Sequence, residues 1–294
     1  MRSLIVPLAW ALLAASPARA DRAAGAASGG AEWLGPRPPA APQRVVSLAP
    51  SLTDTVIALG LASRLVGVTR YDDAPEVARL PRVGGFLDPS PEAVLGLEPD
   101  LVLWLTDGGA LPAVRTIATL GVPVRALPVV SVADALAAAR LVGEALGDRA
   151  AGGRLARQLG EAVERARART AGERRVRVLF VVGRDPLVVA GPGSYPDELV
   201  RIAGGENVVR GGRPWPVFSM ERAVALDPEM VIDAAVNEPA EGLSRLDAIP
   251  AVRRGAVHRL PNDDALRPGP RLGRALEELV AAMHPGRPAG GDAR

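Results

Sequence analysis

Cysteine is absent from the 294 residues of the chain. This absence excludes a disulfide framework, a cysteine nucleophile and a lipid-modified cysteine. Histidine is scarce as well, because His258 and His284 are the only two, and they lack the spacing of a clustered metal site. No Gly-x-Ser-x-Gly nucleophile elbow occurs either. We therefore expect no catalytic residue, no metal and no cofactor, which favours a binding protein over an enzyme.

Lysine is also missing, so all basic side chains are arginines. The formal net charge is +2, and Arg2 and Arg19 account for it. The rest of the chain is balanced between arginines and acidic residues and has no basic stripe. A nucleic-acid-binding surface needs such a stripe. We therefore expect no nucleic-acid partner.

Long apolar runs are missing except near the N-terminus. Residues 4–15 form a short apolar stretch after Arg2, and Ala18-Arg19-Ala20 has the small-x-small pattern of a cleavage site. The stretch is shorter than the roughly 18–20 residues of a membrane span. We therefore predict a signal peptide over residues 1–20, cleaved after Ala20, and an exported protein without a lipid anchor.

Composition and length divide the remaining chain into further segments. An Ala-, Gly- and Pro-rich stretch over 21–43 has no period and is predicted to be a flexible lead-in. The rest exceeds the usual size of one domain. We predict an N-terminal lobe over 44–147, an interlobe helix over 148–172, a C-terminal lobe over 173–285 and a disordered tail over 286–294.

Two segments of the predicted lobes repeat each other. The sequence "EAVLGLEPDLVLW" (92–104) aligns without a gap with "ERAVALDPEMVID" (221–233). In each, a Glu opens a helix, an acid-Pro-acid step ends it, and an apolar strand follows. Nearly all-apolar strands alternating with helices indicate parallel sheets that are covered on both faces. The sequence therefore predicts an α/β fold with a mainly parallel sheet in each of two lobes.

The segment between the lobes predicts one long helix. Leu155, Leu159, Val163 and Ala166 recur at helical spacing. A helix over 148–171 would be about 36 Å long, although Gly152 and Gly153 weaken its start. No flexible hinge interrupts the segment, so we expect a rigid connection and small lobe motion on ligand binding.

Aromatic residues make up only 3% of the chain, which makes their positions informative. Phe180 lies within an apolar strand and is predicted to be core. The others that follow the lead-in fall on loops or strand ends: Tyr71, Phe86, Trp104, Tyr195, Trp215 and Phe218. Ligands of open α/β sheets bind beyond the carboxyl ends of the strands. Edge packing would explain any one of these rings, whereas the group favours a large, flat, partly apolar ligand between the lobes.

Glu92 and Glu221 occupy equivalent places in the repeat, each two residues after a Ser. An acid in the first turn of a helix is explained by capping and by the helix dipole. That explanation does not account for the match between the two lobes. Paired carboxylates at lobe tips would also provide docking points for a two-fold partner that carries arginines.

Three stretches carry a resemblance to a known family: "RVVSLAPSLTDTVIALGLASRLVGVTRYDDAP", "EAVLGLEPDLVLW" and "AGGENVVRGGRPWPVFSMERAVALDPEMVI". They resemble the substrate-binding proteins of ABC importers that have a helical backbone and carry cobalamin, ferric siderophores or haem. The similarity runs from Arg44 to Met283. The paired Glu-helix-Pro-strand units point to the fold, and the Pro-Trp-Pro step points to the cobalamin-binding members. The resemblance implies the class III periplasmic binding protein architecture, with two lobes joined by a long rigid helix.

The resemblance also implies roles for particular residues. Glu92 and Glu221 match the family's lobe-tip glutamates, which dock onto arginines of the membrane permease. The aromatics that face the corrin match Tyr71, Phe86, Trp104 and Trp215, and Asp263 and Arg267 match an acid and an arginine at the ligand's polar edge. The implied partners are cobalamin or a related corrinoid and the permease subunits, and the protein is expected to be a monomer.

Other ligands of the same family stay open at this point. Haem would favour an iron ligand such as Tyr71. An anionic siderophore would favour arginines such as Arg70, Arg184 and Arg267, whereas cobalamin needs mainly apolar and aromatic walls, which the aromatic set favours. A periplasmic sensor or scaffold protein would need no ligand site.

Overall fold

The computed structural model describes residues 30–286. Within this range the chain divides into two compact units, which we call the first unit (30–161 and 267–271) and the second unit (162–266 and 272–286). The signal peptide predicted over 1–20 lies outside the described residues, as does the predicted tail beyond Gly286. None of the helices in the described range combines the length and the apolar character that crossing a membrane requires.

The first unit contains a five-stranded sheet in the order β1-β5-β4-β2-β3. Strands β2 to β5 pair in parallel, and β1 pairs antiparallel with β5. Strand β4 is buried along its whole length because helices cover both faces of the sheet. The strands are β1 (Glu32–Leu34), β2 (Val45–Ser47), β3 (Leu65–Gly67), β4 (Leu101–Leu105) and β5 (Val124–Leu127).

The helices of the first unit follow its strands in the alternation that the sequence predicts. They are α1 (Pro50–Ala58), α2 (Pro91–Leu95), α3 (Leu111–Thr119) and α4 (Val132–Ala145). Short 3-10 turns lie over 62–64, 75–77 and 106–108. Helix α4 begins with a capping box in which the side chains of Ser131 and Asp134 each accept a backbone N–H of the other residue.

The predicted flexible lead-in is wrong for residues 32–34, which form the edge strand β1. Trp33 pairs with Arg125 of β5, and the Arg125 guanidinium lies 4.9 Å from the centre of the Trp33 ring. Gly35 ends the strand with a φ of 77°. The free edge of β5 supplies hydrogen-bonding groups to any extended segment that lies beside it. A three-residue strand within an Ala- and Pro-rich stretch leaves no such trace in the sequence.

The second unit also contains a sheet, in the order β10-β9-β6-β7, with β8 pairing the first half of β6. The pairs of β6 with β8 and β9, and of β9 with β10, are parallel; β7 returns antiparallel to β6. The strands are β6 (Val176–Arg184), β7 (Leu187–Val189), β8 (Gly205–Asn207), β9 (Met230–Asp233) and β10 (Val257–Arg259). Phe180 is fully buried in β6, so its predicted place in the core is confirmed.

One helix, α5 (Arg149–Thr170), runs from the first unit into the second and is close to its predicted bounds. The chain crosses between the units again on either side of 267–271. The helices of the second unit are α6 (Tyr195–Ile202), α7 (Met220–Ala225), α8 (Pro250–Arg253) and α9 (Leu272–Met283). Further 3-10 turns lie over 240–246 and 264–266. The mixed α/β fold with two mainly parallel sheets confirms the predicted fold class.

Glycines set the packing of α4 on α5. A Cβ atom on Gly143 would lie 2.7 Å from the Cα atom of Gly152, and one on Gly152 would lie 2.7 Å from the carbonyl oxygen of Ala139. A Cβ atom on Gly153 would meet nothing closer than 3.7 Å. Gly152 therefore lies where the backbones of α4 and α5 touch, whereas Gly153 makes no such close backbone contact.

The sequence repeat is also a repeat of backbone conformation. Helices α2 and α7 end at Leu95 and Ala225, earlier than the prolines that follow. The residues directly before these prolines, Glu98 and Asp227, are the only non-glycine residues with positive φ in the described range, at 47° and 45°. A left-handed residue, rather than the proline alone, therefore turns each chain from helix to strand.

Equivalent arginines hold these two turns. Arg44 donates to the carbonyl oxygens of Leu97 (2.5 Å) and Glu98 (3.0 Å), and Arg177 donates to that of Leu226 (2.7 Å). The carboxylates two residues after the left-handed positions accept the backbone N–H of Arg44 (2.9 Å) and of Arg177 (3.4 Å). Both units thus hold the turn that follows α2 or α7 by equivalent local contacts.

Candidate functional site

Tyr71 is presented by a tight turn just beyond β3. The Asp72 carboxylate accepts hydrogen bonds from the backbone N–H (2.8 Å) and the hydroxyl (2.6 Å) of Thr69, and the N–H of Tyr71 donates to the Thr69 hydroxyl oxygen (3.2 Å). Burial raises the pKa of Asp72, against hydrogen bonds from Thr53 and Thr69 that lower it. The turn leaves the Tyr71 ring 41% exposed, with the Arg70 guanidinium 5.6 Å from its centre.

Phe86 lies on a second loop, which an ion pair ties to the Tyr71 turn. Arg70 binds Asp88 through two hydrogen bonds of 2.8 and 3.1 Å. The Phe86 ring packs on Gly108, just beyond the carboxyl end of β4, where an added Cβ atom would lie 2.8 Å from two ring carbons. Phe86 stays partly exposed. Tyr71 and Phe86 therefore stand beyond the carboxyl ends of two parallel strands, as the position of a ligand site in this fold class requires.

The predicted ligand-facing position of Trp104 is wrong. Its side chain is only 2% exposed and belongs to the core of the first unit, with Val46, Val102 and Val124. Trp104 lies within β4, a central strand that is covered on both faces, so both of its neighbouring layers are occupied by protein. Its indole N–H finds no acceptor among residues 30–286.

Asp107 is a candidate that the sequence reasoning missed. It follows β4 in the 3-10 turn over 106–108, next to the glycine that carries the Phe86 ring. The residue reaches solvent, yet the protein atoms around its carboxyl group desolvate it, and with the charge of Asp134 they raise its pKa to about 6. In the sequence, the position of this acid between an apolar strand and two glycines could have marked it as a candidate site residue.

Trp215 is held by the backbone of the segment around it. The N–H groups of Val189 and Gly191 donate to the carbonyl oxygens of Pro216 (3.2 Å) and Pro214 (2.8 Å). In return, the N–H of Phe218 donates to the carbonyl oxygen of Leu187 (2.8 Å). A proline has no N–H but its carbonyl accepts, so Pro-Trp-Pro can line the edge of β7 and end further pairing. The Trp215 side chain is half-buried and stands on a fixed backbone.

Two of the other rings that lie on loops in the sequence are buried within the second unit. Tyr195 begins α6 and is 2% exposed, and Phe218 is buried under α7. With Trp104 also in a core, the rings that reach the surface near strand ends are Tyr71, Phe86 and Trp215. The predicted aromatic surface is therefore smaller than the sequence indicates.

Arg267 and Asp263 differ in their surroundings. Arg267 belongs to the first unit, where it donates to both carboxylate oxygens of Asp73 (2.9 and 3.3 Å). Arg271 binds the same carboxylate (2.9 Å) and that of Asp54 (2.7 Å). Burial alone would raise the pKa of Asp73, but hydrogen bonds from the two arginines outweigh it and lower that pKa. Arg267 is thus already neutralised by a carboxylate.

Asp263 belongs to the second unit and stays half-exposed just before the turn over 264–266. The neighbouring acid, Asp264, is buried and binds Arg274 at 3.2 Å. Of these two acids, only Asp263 therefore has a side chain that a ligand could reach.

The other arginines that would attract an anionic siderophore also have carboxylate partners. Arg184 and Asp233 form an ion pair of 2.7 Å at the carboxyl ends of β6 and β9, and both side chains are 0% exposed. Arg184 also donates to the carbonyl oxygen of Pro239 (2.7 Å). Arg70 is bound to Asp88. This set of arginines offers little unbalanced positive charge to an anionic ligand.

Glu92 and Glu221 are both exposed in the first turns of α2 and α7. Ser90 accepts the N–H of Ala93 (3.1 Å) and Ser219 that of Arg222 (3.3 Å), so each helix is capped by a serine. The pKa of each glutamate is lowered, first by its own backbone N–H and then by the capping serine. Both carboxylates are therefore charged at neutral pH, and neither binds an arginine within the described part of the chain.

Comparison with known proteins identifies the family. The model of the family described as "Periplasmic binding protein" matches residues 45–263. A "Vitamin B12-binding protein" of Vibrio parahaemolyticus is 26% identical over 241 residues, which are 81% of this chain and 88% of the relative.

Two solved structures have the same fold. The periplasmic haem-binding protein BhuT, solved with two haems, is 31% identical with a TM-score of 0.72, covering 82% of this chain and 98% of its own. The periplasmic vitamin B12-binding protein BtuF of Vibrio cholerae is 23% identical with a TM-score of 0.73, covering 82% and 96%; at that identity it shows the fold alone. The chain belongs to the periplasmic binding protein family.

Proposed function

We propose that this protein binds a corrinoid of the cobalamin type in the periplasm and delivers it to an ABC importer. The observation that carries the proposal is the set of fixed, solvent-accessible rings: Tyr71 and Phe86 beyond the strands of the first unit, and Trp215 on the edge of β7. Such rings suit the large, flat, partly apolar face of a corrin. The relative named as a vitamin B12-binding protein supports the same ligand.

The charges favour a corrinoid over an anionic siderophore. Arg70, Arg184 and Arg267 each bind a carboxylate, so a ligand with several negative charges would have to displace a protein acid at each of them. A corrinoid instead presents amide groups at its rim. Asp107 of the first unit is an exposed acceptor for such N–H groups, and Asp263 of the second unit is half-exposed.

Delivery rests on the paired carboxylates. Glu92 and Glu221 stand in equivalent first turns, are charged, and have no arginine partner in the described residues. We propose that they bind arginines of the permease and orient the loaded protein on it. The protein's own residues bind and orient the ligand, and no covalent step is involved.

Haem is the second candidate ligand, and one observation favours it. Tyr71 carries an exposed phenol, which could ligate iron, and the haem-binding relative BhuT is 31% identical. Tyr71→Phe separates the two ligands, because it keeps the ring and removes the phenol oxygen. Corrinoid affinity should stay within about twofold in this variant, whereas iron ligation by Tyr71 would be lost.

The proposal is tested by titrating the purified mature protein in parallel with cyanocobalamin, haemin and a ferric hydroxamate, followed by calorimetry and visible absorption. We expect cyanocobalamin alone to bind in the nanomolar range. Nanomolar haemin binding that Tyr71→Phe abolishes would establish the second candidate instead. If none of the three ligands binds, the proposed function is wrong and a sensor or scaffold role would be favoured.

A further inference from the structure

The second unit contains a cavity of about 290 Å³ between strand β8 and helix α7. Its apolar walls include Val208, Phe218 and Leu226. It lies beside the edge strand β8 and the start of β6, away from the carboxyl ends of the strands where Arg184 and Asp233 pair. Its lining residues include none of the proposed ligand-binding rings Tyr71, Phe86 and Trp215.

Three arginines and one acid line the cavity. Arg210 binds Glu206 in an ion pair, and Arg177 donates to the carbonyl oxygen of Leu226 at 2.7 Å. The guanidinium of Arg222 stacks on the Phe218 ring, 3.9 Å from its centre, and contacts no carboxylate within residues 30–286. The cavity thus combines an aromatic wall with an excess of positive charge, including one arginine that no protein acid balances.

The first unit has no counterpart of this cavity wall. In the gapless alignment of the repeat, Ala93 stands at the position of Arg222 and Gly96 at that of Ala225; continued three residues upstream, the same register places Pro89 at the position of Phe218. Both helices are nevertheless capped and held by the same serine and arginine contacts. The stacking of Arg222 on Phe218 is therefore not needed to form helix α7.

Glu221 lies next to the residues of α7 that line the cavity. Ala225 lines it and lies four residues after Glu221, on the same side of α7. Arg222, the next residue in the chain, forms its rim. A permease arginine that approached Glu221 would also approach the positive charge of Arg222, and this repulsion is absent at Glu92, where Ala93 follows.

We propose that the cavity receives an acidic side chain, Asp or Glu, of the importer permease, which Arg222 binds. This inference rests on the proposed docking role of Glu221 and extends it. A carboxylate can bind a guanidinium through two parallel hydrogen bonds, and the Phe218 ring supports the Arg222 guanidinium from its other face. The acid offsets the repulsion between Arg222 and the permease arginine. Docking is consequently asymmetric, because the first unit offers no equivalent pocket.

The test measures binding of the cyanocobalamin-loaded protein to the cognate permease complex in lipid nanodiscs. The variant Arg222→Glu reverses the charge at the rim. Its matched control, Arg115→Glu, makes the same change at an exposed arginine of α3. The double variant Glu92→Arg with Glu221→Arg is measured in the same assay, and cyanocobalamin affinity and thermal melting are recorded for every variant.

We expect Arg222→Glu to weaken docking at least tenfold while Arg115→Glu stays within twofold, with ligand affinity unchanged in both. Arg222→Gln should give a smaller loss, since it removes the charge without reversing it. Docking of Arg222→Glu at wild-type affinity, with the double glutamate variant defective, would overturn the cavity proposal alone. Normal docking by the double variant would instead overturn the proposed function on which it rests.

Discussion

At the scale of single residues, the surroundings of a ring decide whether it can serve a ligand. Trp104 and Trp215 both lie near strand ends in the sequence, yet Trp104 is sealed in a core and Trp215 is half-buried on a proline-flanked edge segment. The proline carbonyls on either side fix the Trp215 backbone without using its side chain. Trp215 can therefore act as a rigid aromatic anchor.

We predict that Trp215→Ala weakens cyanocobalamin binding at least tenfold, because a buried aromatic anchor typically contributes about 2 kcal/mol. The measurement is an isothermal titration with cyanocobalamin. Trp33→Ala is the matched control, since it removes a 42% exposed tryptophan on β1, and it should bind within twofold of wild-type. Equal losses in the two variants would contradict an anchoring role for Trp215.

Asp107 leads to a prediction about pH. Desolvation raises its pKa to about 6 from a usual value of 3.8, so its ionisation disfavours the folded state. That penalty is absent below about pH 4 and complete above about pH 6. Asp107→Ser should therefore be more stable than wild-type at pH 7.5, by no more than about 1 kcal/mol because solvent screens this accessible group, and the difference should vanish near pH 4.

Urea unfolding at both pH values measures the effect. Asp247→Ser, which removes an exposed carboxylate of the second unit, is the control and should show no comparable change with pH. A difference for Asp107→Ser that is the same at pH 4 and pH 7.5 would mean that the substitution acts through packing rather than through charge.

At the scale of elements, adjacent glycines in α5 have opposite roles. Glycine disfavours a helix interior by about 0.5–1 kcal/mol relative to alanine. At Gly153 a change to alanine should bring this gain in stability without a steric cost, because the added Cβ atom meets only the end of a flexible arginine at 3.7 Å. At Gly152 the added atom would meet the backbone oxygen of Ala139 at 2.7 Å, so α4 and α5 would have to separate.

We predict that Gly153→Ala stabilises the protein by about 0.5–1 kcal/mol, whereas Gly152→Ala destabilises it by roughly 1–3 kcal/mol through overpacking. Denaturant unfolding of the two variants side by side gives the comparison, since the chemical change is identical. Stabilisation by both substitutions would show that the close approach of α4 and α5 is not a constraint.

At the scale of the whole molecule, the repeat places one charged glutamate on each unit. Equivalent serines cap both helix starts, and equivalent arginines hold the left-handed turns at Glu98 and Asp227 that follow the two helices. Capping alone does not explain why α2 and α7 share this geometry, because one helix can be capped whether or not the other unit contains a matching helix. The proposed docking onto a two-fold partner with two arginines would give the match a function.

We predict that changing Glu92 and Glu221 together to Arg leaves cyanocobalamin affinity unchanged but abolishes uptake by the reconstituted importer. The control pair, Glu32→Arg with Glu277→Arg, makes the same total charge change at one exposed acid of each unit. It should support uptake at close to the wild-type rate. Normal uptake by the Glu92 and Glu221 variant would refute the docking role.

The sequence by itself determined the features that depend on neighbours along the chain. The alternation of apolar strands and helices, the serine caps, the paired glutamates and the long helix α5 all follow from local spacing and composition, and the fold has each of them. Tertiary structure decided which side chains remain accessible. Trp104 is closed off by layers on both faces of β4, Arg267 is neutralised by a distant Asp73, and β1 pairs with the edge of β5, about 90 residues further along the chain. These outcomes depend on segments far apart in the chain, which no local pattern encodes.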